Sequence, residues 1–197
     1  MKRAFSMRLP HGTLHGDLDL PESARGLILL VRSHHVAVDG IIAANFRAHG
    51  YAIFSMELLS TQETQFPDAT QNVPRLTQRL LDVLDLIRRD GDMEALPLAI
   101  FATGDTSPAA IRAAAQRDTQ VQAIACQGGI IDRAGLQALK YLLAPLLMLF
   151  DADDEIGPVA AQRAAAHLSV EHEIHGLEIG EDALVRVAEW FSAHLAR

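Results

Sequence analysis

Six consecutive residues, Gly26-Leu27-Ile28-Leu29-Leu30-Val31, present no polar side chain and then give way to Arg32-Ser33-His34-His35. A strand that faces water on one side alternates apolar and polar residues, so an unbroken apolar run of this length belongs to a strand covered on both faces. Such strands occur in parallel sheets with helices packed above and below. Further apolar runs follow at 51–58, 96–102, 121–126 and 145–150, each separated from the next by helix-like sequence. The segment after Asn72 is the clearest helix. Asn72 is placed to cap it, Pro74 suits its first turn, and Leu76, Leu80, Val83, Leu84 and Ile87 form one apolar stripe. Helices are also expected at 41–49, 108–117, 132–139, 158–167 and 182–195, with a last strand at 170–174.

Two short strands at 4–8 and 13–20, joined through Pro10-His11-Gly12, read as an N-terminal antiparallel hairpin. Residues 59–72 are polar and irregular. The order hairpin, then repeated strand–helix units, predicts a single α/β domain over residues 1–197: a mostly parallel sheet with helices on both faces. Ligands of such sheets bind beyond the carboxyl ends of the strands. The residues to weigh are those just after each strand.

Composition narrows the partners. With 25 acidic against 17 basic residues the formal net charge is −8, and no Lys/Arg run breaks the pattern. That disfavours nucleic acid, whose phosphates need a basic face, and a basic membrane-surface helix. The single cysteine, Cys126, leaves no internal disulfide and no zinc site built on several thiolates. No signal-peptide pattern and no apolar stretch of membrane-spanning length is present, so a cytoplasmic location is the expectation. No G-x-G-x-x-G or Lys-Ser/Thr phosphate loop is present, and no cofactor is expected.

With these elements in place, the chain resembles the dienelactone-hydrolase-like branch of the α/β-hydrolase superfamily. The resemblance rests on the strand 26–31, the strand–turn–helix 98–115, Ala125-Cys126-Gln127-Gly128-Gly129, the strand and loop 145–154, and Val187-Ala188-Glu189-Trp190-Phe191. It implies an α/β-hydrolase-like fold and, for an active member, a serine on a sharp strand-to-helix elbow, a histidine that takes its proton, and a carboxylate that orients the histidine. In the register of the resemblance the elbow is Ala102-Thr103-Gly104-Asp105-Thr106, which puts Gly104 at the nucleophile position. Glycine adopts the strained elbow backbone cheaply but has no atom with which to attack a carbonyl.

The remaining parts are carried over residue by residue. Asp154 falls at the carboxylate position, with Asp153 as its neighbour and a solvated loop as the alternative. His175 falls near the histidine position, although a direct count lands on Glu178; an exposed strand-end histidine is the competing reading. His172 alternates with Glu171 and Glu173, as on an exposed edge. Ser33 and His34 stand where the family has a His-Gly oxyanion loop, and Thr103 and Asp105 flank the elbow. His34 and His35 invite a metal or anion reading, but adjacent side chains diverge and no third ligand is spaced to join them, so no metal site is expected.

A shifted register would offer Thr103, Thr106 or Ser107 as nucleophile, or Asp105 as a carboxylate nucleophile. Ser107 is better read as a helix N-cap before Pro108. Cys126 reads as a small core residue, since a catalytic thiol would need a neighbouring base. Two functions stay open. One is a hydrolase-fold protein without serine-triad catalysis, serving as a binding or assembly module for a small ligand or as a homodimer. The other is a carboxylic-ester or lactone hydrolase with an off-pattern nucleophile.

Overall fold

The computed structural model describes residues 1–10, 12–33 and 39–195. Eight strands form one sheet in the order β1-β2-β4-β3-β5-β6-β7-β8. Strands β1 (Lys2–Leu9) and β2 (Gly12–Asp19) pair antiparallel, and β2 joins β4 (Ala52–Glu57) antiparallel. From β4 onward all pairings are parallel, through β3 (Leu27–Arg32), β5 (Leu98–Thr103), β6 (Val121–Gln127), β7 (Leu146–Phe150) and β8 (His172–Gly176).

Every residue of β3 is buried. Its side chains divide between two cores: Leu27, Leu29 and Val31 join one, Ile28 and Leu30 the other. The two-residue period of a strand makes that division unavoidable once both faces are covered. The first core is roofed by α2 (Val73–Arg89), α3 (Ser107–Ala114), α4 (Leu136–Tyr141) and α5 (Gly157–Ala165); the second by α1 (Asp39–Ala48) and α6 (Ala183–His194). The predicted stripe of α2, Leu76 to Ile87, lies wholly in the first core, and the Asn72 side chain accepts from Arg75 N at 3.1 Å as a cap should. Among the described residues, no helix is long and apolar enough to cross a membrane.

Three local expectations are corrected. The helix expected at 132–139 is two pieces, a 3-10 turn Ile131–Ala134 and α4, separated by Gly135. The 59–72 segment is ordered by two 3-10 turns, Glu63–Gln65 and Ala69–Gln71. It is pinned from below. The Glu63 carboxylate accepts from Arg79 of α2 and from the Ser60 backbone and hydroxyl, and Arg79 also donates to the Leu58 carbonyl. The Arg79 guanidinium, and the Ser60 N–H behind it, lower the Glu63 pKa from 4.5 to about 2 despite burial. The third correction concerns Ser107, which opens α3 without capping it.

Candidate active-site corner

Strand β5 ends at Thr103, and the chain turns at once through a 3-10 turn, Gly104–Thr106, into α3. Gly104 sits at φ +54°, in the left-handed region where a residue with a Cβ is strained. An ideal Cβ at that position would meet no described atom within 4 Å. The chain therefore turns sharply from strand into helix here, and no described atom stands where a side chain at 104 would point.

The backbone around the corner is locked. After β6, Gly128 and Gly129 double back against it at φ +72° and +93°. A Cβ on Gly129 would lie 2.2 Å from the Gly104 carbonyl oxygen, so only glycine fits this approach. The Ser107 hydroxyl, fully buried, donates to the Gly128 carbonyl at 2.9 Å and ties α3 to the same loop. This is why the N-cap reading of Ser107 fails: its oxygen faces β6 instead of the free N–H groups of its own helix. Thr106 is buried too; its hydroxyl donates to the Thr103 carbonyl at 2.8 Å and lies 3.2 Å from the Thr103 N–H.

Thr103 accepts from the Arg32 guanidinium, and the Arg32 Nε donates to Asp39 Oδ1 at 2.8 Å, a buried pair at the end of β3. Asp105 accepts from Thr70 at 2.7 Å and so fastens the 59–72 segment over the corner. Ser33 lies at the end of β3, with its carbonyl accepting from Leu59 N at 3.0 Å. His34 and His35 lie outside the described residues.

The other carried-over groups are not drawn to the corner. Thr103, Gln127, Leu149 and His175 are register neighbours across β5, β6, β7 and β8. Three strand spacings separate the first from the last, about 14 Å between Cα atoms. His175 meets Glu181 at 3.0 Å, and Glu181 also accepts from Arg186 at 2.8 Å and from Glu178 N at 3.0 Å. Those bonds hold the Glu181 carboxyl at about 2, the Glu178 N–H contributing most. Asp154 Oδ1 accepts from Ile156 N at 3.1 Å and Gly157 N at 2.8 Å, which starts α5. Among the described residues no hydrogen bond links Asp154 to His175.

Glu178 and Asp153 line a cleft of about 700 Å³ above the ends of β6, β7 and β8, together with Asp151, Glu181 and Asp182. Its apolar lining includes Ile42, Leu177, Ile179 and Leu184. Cys126 is fully buried next to Ser107, and burial pushes its thiol up to about 12. Among the described residues no group of three or more His, Cys, Asp or Glu could hold a metal ion. Sequence reasoning missed Arg32, Asp39 and Glu181. A charged residue at the last position of an apolar strand, with an acid seven residues on, is the signal that could have found the first two.

The architecture matches known structures. A dienelactone hydrolase from Anabaena variabilis superposes with a TM-score of 0.86 at 25% identity, over 100% of this chain and 99% of that one. A cold-adapted esterase from an Arctic intertidal metagenomic library superposes with a TM-score of 0.76 at 13% identity, over 99% and 94% of the two chains, a likeness of fold alone. In sequence, a Mycobacterium tuberculosis protein provisionally named a phosphoribosyl transferase is 28% identical over 155 residues, 77% of this chain and 35% of that protein. The chain thus spans about a third of the length of this curated relative. No family model matches the chain. The fold is that of an α/β-hydrolase and is dienelactone-hydrolase-like.

Proposed function

We propose that this chain is an α/β-hydrolase-fold protein without serine-triad catalysis, serving as a binding or assembly module. The observation that carries the reading is Gly104: it holds the left-handed turn of an elbow, no described atom fills the space beside it, and it has no Cβ to carry an oxygen that could attack a carbonyl. A small ligand would occupy the cleft above β6, β7 and β8.

An off-pattern nucleophile finds less support. Ser107 is buried with its hydroxyl committed to the Gly128 carbonyl, and the Cys126 thiol is buried and held protonated. His175 pairs with Glu181 on the far side of β7 from the corner.

The test is hydrolysis of p-nitrophenyl acetate alongside labelling by a fluorophosphonate. The purified protein is expected to show no saturable rate and to take up no label. A saturable rate that the fluorophosphonate titrates to zero would overturn the reading.

A further inference from the structure

Away from the corner, a groove of about 490 Å³ runs between the end of α3 and α4. Arg112 and Arg133 line it with Leu136 and Tyr141, both more than half exposed, and no carboxylate is among its described lining residues. The Lys140 ammonium lies over the Tyr141 ring, 5.8 Å from its centroid. Asp132, the nearest acid in sequence, is paired with Arg163 at 2.8 Å. In a chain of net charge −8 this is a local reversal of sign joined to exposed apolar surface.

The same chain carries the complement. The loop between β8 and α6 reads Glu178-Ile179-Gly180-Glu181-Asp182, and Ile179 is 98% exposed at its tip. Among the described residues it is the most exposed of the large apolar ones, and acids stand on both sides of it.

We infer that the α3/α4 groove receives the 178–182 tip of a second copy of this chain, with Ile179 against Leu136 and Tyr141 and the Glu178 carboxylate facing Arg112 and Arg133. Charge complementarity selects the occupant: copies of an acidic chain repel one another except where a basic patch meets an acidic one. The groove belongs to helices of the first core, while the tip leads into α6 of the second. Groove and tip are thus different surfaces of one copy. Their contact closes as a two-fold pair only where both tips reach both grooves at once, and otherwise builds a ring or an open chain. It stands whether or not the corner is inert, so its failure would leave the proposed loss of elbow chemistry untouched.

Sedimentation velocity over a concentration series at low salt tests it with the unmodified protein. The weight-average coefficient should rise with concentration and fall back to the monomer value at high salt. Arg112→Glu with Arg133→Glu removes the groove and keeps the tip; Glu178→Lys with Ile179→Ser does the converse. Each variant alone should be monomeric, and an equimolar mixture should form a species of two chains and grow no further. An unmodified protein that stays monomeric at every concentration overturns the inference. So does a variant that still self-associates, or a mixture that stays monomeric.

Discussion

Two glycines meet at the corner, and alanine at each should cost very different amounts. At Gly104 the only penalty is conformational, because φ is +54° and no described atom lies within 4 Å of the added methyl group. A left-handed residue with a Cβ costs about 1–2 kcal/mol. Loss of freedom in the unfolded chain returns about 0.4–1 kcal/mol. Gly104→Ala should therefore lower stability by roughly 1 kcal/mol. At Gly129 the same conformational cost applies at φ +93°, and the methyl carbon would also stand 2.2 Å from the Gly104 carbonyl oxygen and 3.1 Å from the Ser107 Cβ. Backbone oxygen cannot swing away as a long side chain can, so the elbow itself must move. Gly129→Ala should cost at least about 3 kcal/mol. Urea unfolding followed by circular dichroism, with the slopes unchanged, reads both values. Equal midpoints, or Gly104→Ala as the more damaging change, would refute the claim that the elbow is held in shape by the Gly128-Gly129 loop.

Two further outcomes follow from buried groups. Burial pushes the Cys126 thiol up to about 12 and keeps it protonated at pH 8; iodoacetamide should label it in urea and leave it untouched in the native protein, and stoichiometric native labelling within minutes would contradict its placement. Glu63 has its carboxyl lowered from 4.5 to about 2 by Arg79 and Ser60, so its contribution to stability is complete above pH 4.5 and is lost as pH falls toward 2. Arg79→Met removes the bidentate partner of that buried carboxylate and leaves it Ser60 and, at 3.7 Å, Arg75. It should cost about 3 kcal/mol at pH 7 and weaken or reverse the acid dependence between pH 4.5 and 2, where a loss below about 1 kcal/mol would show the pair to be idle.

The sequence by itself determined the layering. The unbroken apolar run of β3 required cover on both faces, the stripe of α2 required a core on one side, and the alternation of strand and helix required a mostly parallel sheet; all three are present in the folded chain. The vacancy at Gly104 was legible too, because the identity of one residue decides whether a side chain exists there. The rest was decided by tertiary contacts, for a physical reason: a polar side chain takes the partner that folding brings within 3 Å, and that partner is distant in sequence. Ser107 looked like a helix cap but lies against Gly128, 21 residues on. Asp105 answers to Thr70, and Arg32 to Thr103. His175 stands three strands from Thr103 because the sheet order and the register placed it there, which no local pattern encodes.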